Sequence, residues 1–181
     1  GGAVMFRRMI GRILAVAFLA LALSAPTANA QSQPADIVVE LYTSQGCSQC
    51  PRANRLLGML AREERTLPLT FPVGIWDYLG WHDTFAQPEF AERQRALSRR
   101  LRVRGRFTPQ LVINGATQVS ASDWDEARAT IERERTRETL TPLSVRITRP
   151  LSGLSRVTIG SGSPRTPADV WMIAYDPGPL T

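Results

Sequence analysis

The sequence contains no lysine, two cysteines and one histidine among its 181 residues. These Cys and His side chains are too few for the four ligands of a structural zinc site. Two cysteines also exclude the disulfide-dense scaffolds of many small secreted proteins. Hydrophobic residues make up 43% of the chain and charged residues only 21%, which argues against intrinsic disorder. We therefore expect a globular domain with at most one cysteine centre.

Residues 1–30 are predicted to be a cleaved signal peptide. A positively charged start precedes the apolar run Ile13–Leu23, and Ala28-Asn29-Ala30 fits the small-residue site at which signal peptides are cleaved. The apolar run is well short of the ~20 residues that cross a bilayer as a helix. We therefore expect an exported protein with no stable membrane anchor after cleavage. An uncleaved anchor or a buried helix is the alternative.

The sequence after residue 30 alternates strand-like and helix-like segments, which predicts an α/β core. It begins with a predicted strand, Ile37–Tyr42, and a helix from Cys47 onward. The other predicted elements are strands at Leu67–Ile75 and Leu111–Ile113, and helices at Pro88–Val103 and Asp123–Thr136, the last with Ser122 as its N-cap. Pro68 and Pro72 favour an edge position or broken pairing for the second strand.

Short strands replace this alternation from Leu143 onward. They are predicted at Val145–Thr148, Arg156–Ile159 and Val170–Tyr175, with a Gly/Ser/Pro-rich turn before the last. The sequence therefore predicts an α/β domain over residues 31–140 and a C-terminal β-rich extension over residues 141–181.

Cys47-Ser48-Gln49-Cys50 is a C-x-x-C motif between the first predicted strand and the following helix. Cysteines at this spacing can close a small disulfide, and the helix N-terminus favours a thiolate at Cys47. Cys50 would then resolve the mixed disulfide that Cys47 forms with a substrate. One alternative is a Cu(I) site that uses both thiolates and His82. The other is a permanent disulfide, which would stabilise weakly because it closes a short loop.

The segment VELYTSQGCSQC, followed downstream by TPQLVING, resembles the thioredoxin superfamily. Over about residues 37–176, the runs IWDYLGWHDTFAQPEFAERQRAL and RFTPQLVINGATQV resemble the secreted bacterial thioredoxin-like proteins of the domain-of-unknown-function family twelve twenty-three. The resemblance implies a thioredoxin-like fold, in which helices flank a central mixed sheet, and a periplasmic or secreted bacterial protein. It also implies a shortened C-terminal β portion, because the family usually continues past a strand such as Val170–Tyr175.

Two further site elements follow from this resemblance. In the thioredoxin fold a cis proline before the third strand faces the C-x-x-C, and Thr108-Pro109 stands at that point. Glu40 is similar to the buried acid that precedes the motif in thioredoxins, where it tunes the thiols; the alternative is a solvated acid at a strand edge. Residues 120–123 lack the glycine pair expected of a glutathione-using glutaredoxin, so that variant is not favoured.

The connection from Trp76 to Phe85 is rich in aromatic residues and holds the single histidine. Its aromatic side chains form either a hydrophobic rim for substrate docking or part of the core and loop packing: Trp76, Tyr78, Trp81 and Phe85. His82 either tunes Cys47 or lies at the surface as an ordinary imidazole. Asp77 and Asp83 are interpreted as caps or turn formers rather than catalytic carboxylates.

The densest charge lies at Arg99–Arg106, which contains five arginines. This run either binds an acidic partner or anionic headgroups, or forms a solvated face partly paired with Glu89 and Glu92.

Together these features predict an exported thiol–disulfide oxidoreductase with Cys47 as nucleophile and Cys50 as resolving thiol. The predicted substrate groove comprises Thr108, Pro109, Trp76 and Trp81. Protein thiols or disulfides are the expected partners, and no cofactor, metal or nucleic acid is expected. The alternatives are a Cu(I)-binding protein and a non-catalytic interaction domain with a thioredoxin fold. The sequence indicates neither the direction of the redox reaction nor the oligomeric state.

Overall fold

The computed structural model describes residues 35–137, 145–148, 156–160 and 171–174. Four strands in this part of the chain form one mixed sheet: β1 (Ile37–Thr43), β2 (Thr66–Pro72), β3 (Gln110–Ile113) and β4 (Thr117–Ser120). The spatial order is β2-β1-β3-β4, with β1 and β2 parallel and β3 antiparallel to both of its neighbours. Helices flank this sheet, which is consistent with the thioredoxin-like fold expected from the sequence.

The α-helices that connect these strands are α1 (Cys50–Leu60), α2 (Pro88–Arg100) and α3 (Trp124–Thr136). Proline occupies the first turn of α1 and of α2, where its missing N–H costs no helical hydrogen bond. The carboxylate of Asp123 accepts a hydrogen bond from the Glu126 N–H at 3.0 Å and caps α3. The prediction of Ser122 as this N-cap was therefore wrong by one residue.

Each face of the sheet carries its own hydrophobic core, because successive side chains of a strand point to opposite faces. One core joins alternate residues of β1 to α1 and α3. Its members include Ile37, Val39, Leu41, Ala53, Leu57, Leu60, Ala127 and Ile131. The other core joins the opposite side of β1 to β2 and α2. Its members include Tyr42, Leu69, Phe71, Leu97 and Val112. Helix α1, which carries the cysteine motif, thus lies on the opposite face from α2.

Most predicted elements are present with shifted ends. The first helix begins at Cys50 rather than at Cys47, because turns occupy the intervening residues. Helix α2 ends at Arg100 rather than at Val103, and Arg102 beyond it adopts a positive φ of 55°. Strand β2 lies at the sheet edge, as its prolines indicated. Strand β4 was not predicted.

Two C-terminal strands, β5 (Val145–Thr148) and β6 (Arg156–Ile159), pair antiparallel in a separate sheet and confirm the prediction for these residues. The predicted strand at Val170–Tyr175 was wrong for its described part, since residues 171–174 form no strand. Here Ile173 packs against the core beside α2 instead.

The predicted signal peptide and the predicted domain boundary at residue 140 both fall outside the described residues. Among the helices that the structure does describe, none has the length and apolar character needed to span a membrane.

Candidate functional site

Cys47 and Cys50 form a disulfide at the start of α1, with their Cα atoms 5.4 Å apart. The Cys47 N–H donates to the Ser44 carbonyl and the Cys50 N–H to the Cys47 carbonyl, each at 3.2 Å, so two turns carry the chain into the helix. Cys50 is the first buried residue of α1, and Ala53 and Leu57 follow it on the same buried side of the helix. Cys47 is 7% exposed and Cys50 is 1% exposed. Cys47 is therefore the residue that an incoming thiolate reaches more easily.

The N-terminus of α1 favours negative charge at this position. No side chain caps the helix, and its first turn contains no acidic residue. Arg52, which lies in that turn, is exposed. The unfilled N–H groups of a helix end and the helix dipole act as about half a positive charge. A thiolate released from the disulfide at Cys47 would be stabilised by this end of the helix.

Trp76 connects the disulfide loop with the loop that contains Thr108 and Pro109. Its indole Nε1 donates a hydrogen bond to the Thr108 hydroxyl at 2.8 Å. A Cβ placed on Gly46 would lie 2.8 Å from the Trp76 Cβ, so the tryptophan packs directly against the residue before Cys47. The Thr108-Pro109 peptide bond is cis, and Pro109 is buried. The structure thus links three of the predicted groove residues with the disulfide loop.

Two carboxylates hold the aromatic loop against the residues before Cys47. Asp83 is buried and accepts hydrogen bonds from the backbone N–H groups of Gln45, at 2.7 Å, and Phe85, at 3.0 Å. Asp77 accepts a hydrogen bond from the Asp83 N–H at 3.2 Å. Both carboxylates therefore stabilise turns, in agreement with their interpretation from the sequence.

Three aromatic side chains of this loop lie at the surface. Tyr78 is 75% exposed, Trp81 is 63% exposed and Phe85 is 60% exposed. The indole nitrogen of Trp81 also donates to the side-chain oxygen of Gln45 at 3.2 Å, which places Trp81 beside the disulfide loop. These three side chains are therefore not part of the core, so the interpretation as core packing was wrong for them. The fourth aromatic residue of the loop, Trp76, is half-buried.

His82 extends into solvent, and its side chain is 80% exposed. Its Nδ1 lies 2.8 Å from a carboxylate oxygen of Asp77, so its polar contact is with this acid. Within the described ranges, no three His, Cys, Asp or Glu side chains are grouped as a metal site requires. A Cu(I) site at the two cysteine sulfurs would therefore have no third ligand from a His, Asp or Glu side chain of the described residues.

Glu40 lies on the face of β1 opposite α1, on the side of the sheet covered by α2. Its buried carboxylate accepts two hydrogen bonds from Arg93, both at 2.7 Å, and one from the Tyr42 hydroxyl at 2.9 Å. Burial and the neighbouring carboxylate raise the pKa of the Tyr42 phenol, and the hydrogen bonds that Arg93 donates to Glu40 raise the pKa of the Arg93 guanidinium. The alternative of a solvated Glu40 was wrong. Its role in tuning the thiols stays a prediction.

Arg93 was not identified from the sequence as a member of this polar cluster. Its guanidinium carbon lies 5.8 Å from the ring centroid of Phe71 and 4.9 Å from that of Trp171. A buried carboxylate requires a compensating partner. The burial that the thioredoxin resemblance implied for Glu40 was therefore the signal for a partner, although it did not indicate which arginine.

The fold and the site define an α/β protein with a thioredoxin-like architecture and a disulfide at the start of its first helix. The chain belongs to the family described as "Protein of unknown function (DUF1223)", whose model matches residues 38–181. This result confirms the family resemblance seen in the sequence.

A crystal structure of a protein from Agrobacterium tumefaciens is similar to this chain, with 31% sequence identity and a TM-score of 0.61. The match covers 72% of this chain but only 58% of the other, so this chain spans less than two thirds of that protein's length. No curated protein is significantly similar to the chain.

Proposed function

We propose that this chain is an exported thiol–disulfide oxidoreductase that acts through Cys47 and Cys50. The observation that carries the proposal is the position of the disulfide at the N-terminus of α1, with Cys47 the more exposed residue of the pair. The contacts of Trp76 with Gly46 and Thr108 support it, because they join the disulfide loop to the loop of Pro109. Export depends on the signal peptide predicted from the sequence.

The reaction begins with the disulfide form that the structure contains. A substrate thiolate attacks the Sγ of Cys47, the bond to Cys50 breaks, and the electron pair leaves on the Cys50 sulfur. A second substrate thiolate then attacks the substrate sulfur of the mixed disulfide and releases Cys47 as a thiolate beside the α1 N-terminus.

This sequence of steps moves two electrons from the substrate to the protein. The substrate gains one disulfide, and its two thiol protons pass to the protein thiolates or to solvent. The same steps in reverse reduce a substrate disulfide, with Cys47 as the attacking thiolate. The difference between the reduction potentials of the two couples sets the direction.

The proposal is tested with the purified protein and a peptide dithiol in a single-turnover experiment. We expect the oxidised protein to convert about one peptide dithiol to its disulfide per chain. Cys47→Ser should abolish the exchange. Reduced Cys50→Ser, mixed with a peptide disulfide, should accumulate a mixed disulfide at Cys47 that mass spectrometry detects.

Two results would contradict this function. Exchange that is unaffected by Cys47→Ser would exclude the assigned nucleophile. A reduction potential below about −300 mV together with no exchange would indicate a permanent structural disulfide. The copper content of the same preparation tests the alternative of a Cu(I)-binding protein. That alternative requires stoichiometric copper that survives dialysis and is lost in Cys47→Ser. Recovery of the processed protein in the periplasmic fraction checks export.

A further inference from the structure

The chain between α2 and Thr108 forms a defined loop, residues 101–107, which we name the arginine loop. Its three arginines, Arg102, Arg104 and Arg106, are all exposed. The Gln94 side-chain amide donates to the Phe107 carbonyl at 3.0 Å and fixes the end of the loop. The Val103 N–H donates to the carbonyl of Ser98 at 2.9 Å and fixes its beginning.

The positive charge of the arginine loop is not neutralised by nearby acids in the sequence. No aspartate or glutamate occurs anywhere in residues 93–122. Among the described residues, none of the three loop arginines forms an ion pair with a carboxylate. These three side chains are therefore solvated, as the second interpretation has it, but the pairing with Glu89 and Glu92 does not extend to them.

A chain of contacts leads from this loop to the disulfide. Arg106 lies two residues before Thr108, whose hydroxyl accepts the hydrogen bond from Trp76. Trp76 in turn packs against Gly46, which precedes Cys47. The first turn of α1, which begins at the second cysteine of the motif, also presents an exposed arginine and no acid. Exposed arginines thus occur both in the loop that leads to Thr108 and in the first turn of the helix that begins at the disulfide, whereas Asp83, the carboxylate bonded to Gln45, is buried.

Acidic residues also occur near Pro109, at the start of α3. The Ala121 N–H donates to the Pro109 carbonyl at 3.0 Å, and Asp123, Asp125 and Glu126 follow. These carboxylates lie at the positive end of the α3 dipole, which offsets part of their charge. The arginine loop follows the C-terminus of α2, whose dipole offsets part of its charge in the same way, but its three exposed arginines form no ion pair with a carboxylate of the described residues.

We infer that the substrates are polypeptides whose reactive cysteine is flanked by acidic residues. This inference rests on the proposed function, because it names the substrate class of the same site. An acidic segment is attracted to the arginine loop and to the α1 N-terminus, which raises the rate at which its thiol or disulfide meets Cys47. The attraction acts between exposed charges and is therefore screened by salt.

The test compares peptide thiols of equal length that carry one cysteine flanked by acidic or by neutral residues. The oxidised protein reacts with each peptide, and the rate of mixed-disulfide formation is expressed per thiolate, because flanking acids change the thiol pKa. At low ionic strength we expect the acidic peptide to react about tenfold faster than the neutral one. The ratio should approach one at high salt.

Matched charge reversals locate the effect in the molecule. Arg104→Glu combined with Arg106→Glu should abolish the preference for the acidic peptide. The control variant, Arg62→Glu combined with Arg133→Glu, changes the net charge by the same amount at exposed positions. It should keep the preference for the acidic peptide. These control positions lie near the end of α1 that is remote from the disulfide, where Arg135 of α3 contacts Glu63. A small neutral thiol should react equally with all three proteins.

Equal rates with acidic and neutral peptides would overturn the inference, as would an equal loss of preference in the control variant. Either result still includes exchange and leaves the proposed function in place. No reaction with any peptide or with the small thiol would overturn the proposed function itself.

Discussion

The indole nitrogen of Trp76 donates a hydrogen bond to the hydroxyl of Thr108, 32 residues away in the sequence. The same side chain packs against Gly46, so one tryptophan contacts the loops on both sides of the candidate active site. The relative position of Cys47 and Pro109 therefore depends on a residue that takes no part in the proposed sulfur chemistry.

Trp76→Phe keeps an aromatic ring against Gly46 but removes the donor to Thr108. We expect a loss of about 1 kcal/mol in the free energy of unfolding and slower exchange with peptide dithiols. Thr108→Val removes the other partner and should have a similar effect. In a double-mutant cycle the two changes should be less than additive, because they remove the same hydrogen bond. Full additivity in denaturant unfolding would show that this bond does not couple the loops.

Gly46→Ala tests how closely Trp76 approaches the disulfide loop. The new Cβ would lie 2.8 Å from the Trp76 Cβ, so one of the two must move. We expect a destabilisation of about 1–3 kcal/mol from this overpacking. Gly58→Ala in α1 is the control, since nothing lies within 4 Å of its new Cβ. It should stabilise the protein by about 0.5–1 kcal/mol. Equal effects of both variants on the denaturation midpoint would contradict the close contact.

Glu40→Gln removes the charge that compensates Arg93, whose side chain is 15% exposed. A buried ion pair that loses one partner costs about 3–5 kcal/mol, because the other charge stays in the interior without compensation. Asp36→Asn breaks the pair with Arg65, in which both side chains are partly exposed, and should cost at most about 1 kcal/mol. Urea unfolding of both variants measures the difference. Similar losses for the two substitutions would show that the cluster of Glu40 and Arg93 is solvated.

Tyr42 should make the stability depend on pH in alkaline solution. Its phenol has a raised pKa in the folded protein, so above about pH 10 the unfolded chain releases a proton that the folded chain retains. The free energy of unfolding should therefore be unaffected by this group below pH 10 and fall as the pH rises further. Tyr42→Phe should show a weaker decline above pH 10 in urea titrations at fixed pH. Tyr78→Phe alters an exposed tyrosine and should retain the decline of the wild type.

The sequence predicted the parts of the site that have local signals. Proline marked the start of α2, helical spacing marked the buried face of α1, and the cysteine motif lay where a strand meets a helix. Strand β4 lacked such a signal, because Val119 is its single buried residue. The cap of α3 was misplaced because Ser122 and Asp123 are adjacent and both suit an N-cap.

The polar cluster around Glu40 could not be predicted from local patterns. Arg93 is 53 residues from Glu40 in the sequence, and several other arginines are present on the same helix. Only the packing of α2 against the sheet selects Arg93, together with the position of Trp171 over its guanidinium group. The tertiary structure likewise decides on which face of the sheet Glu40 lies. Glu40 and α1 lie on opposite faces, so the sheet separates this acid from α1.

The prolines of β2 also limit the pairing of this edge strand with a strand of another molecule. The Val73 N–H donates to the Thr43 carbonyl, so backbone N–H groups at odd-numbered positions of this strand point toward β1. The even-numbered positions face the open edge, and they are Thr66, Pro68, Thr70 and Pro72. Proline has no N–H, and the Thr66 N–H already donates to the Glu63 carbonyl. Counting hydrogen bonds among the described residues, the edge of β2 therefore offers a neighbouring strand one donor, at Thr70, which disfavours domain swapping and fibril growth through β2.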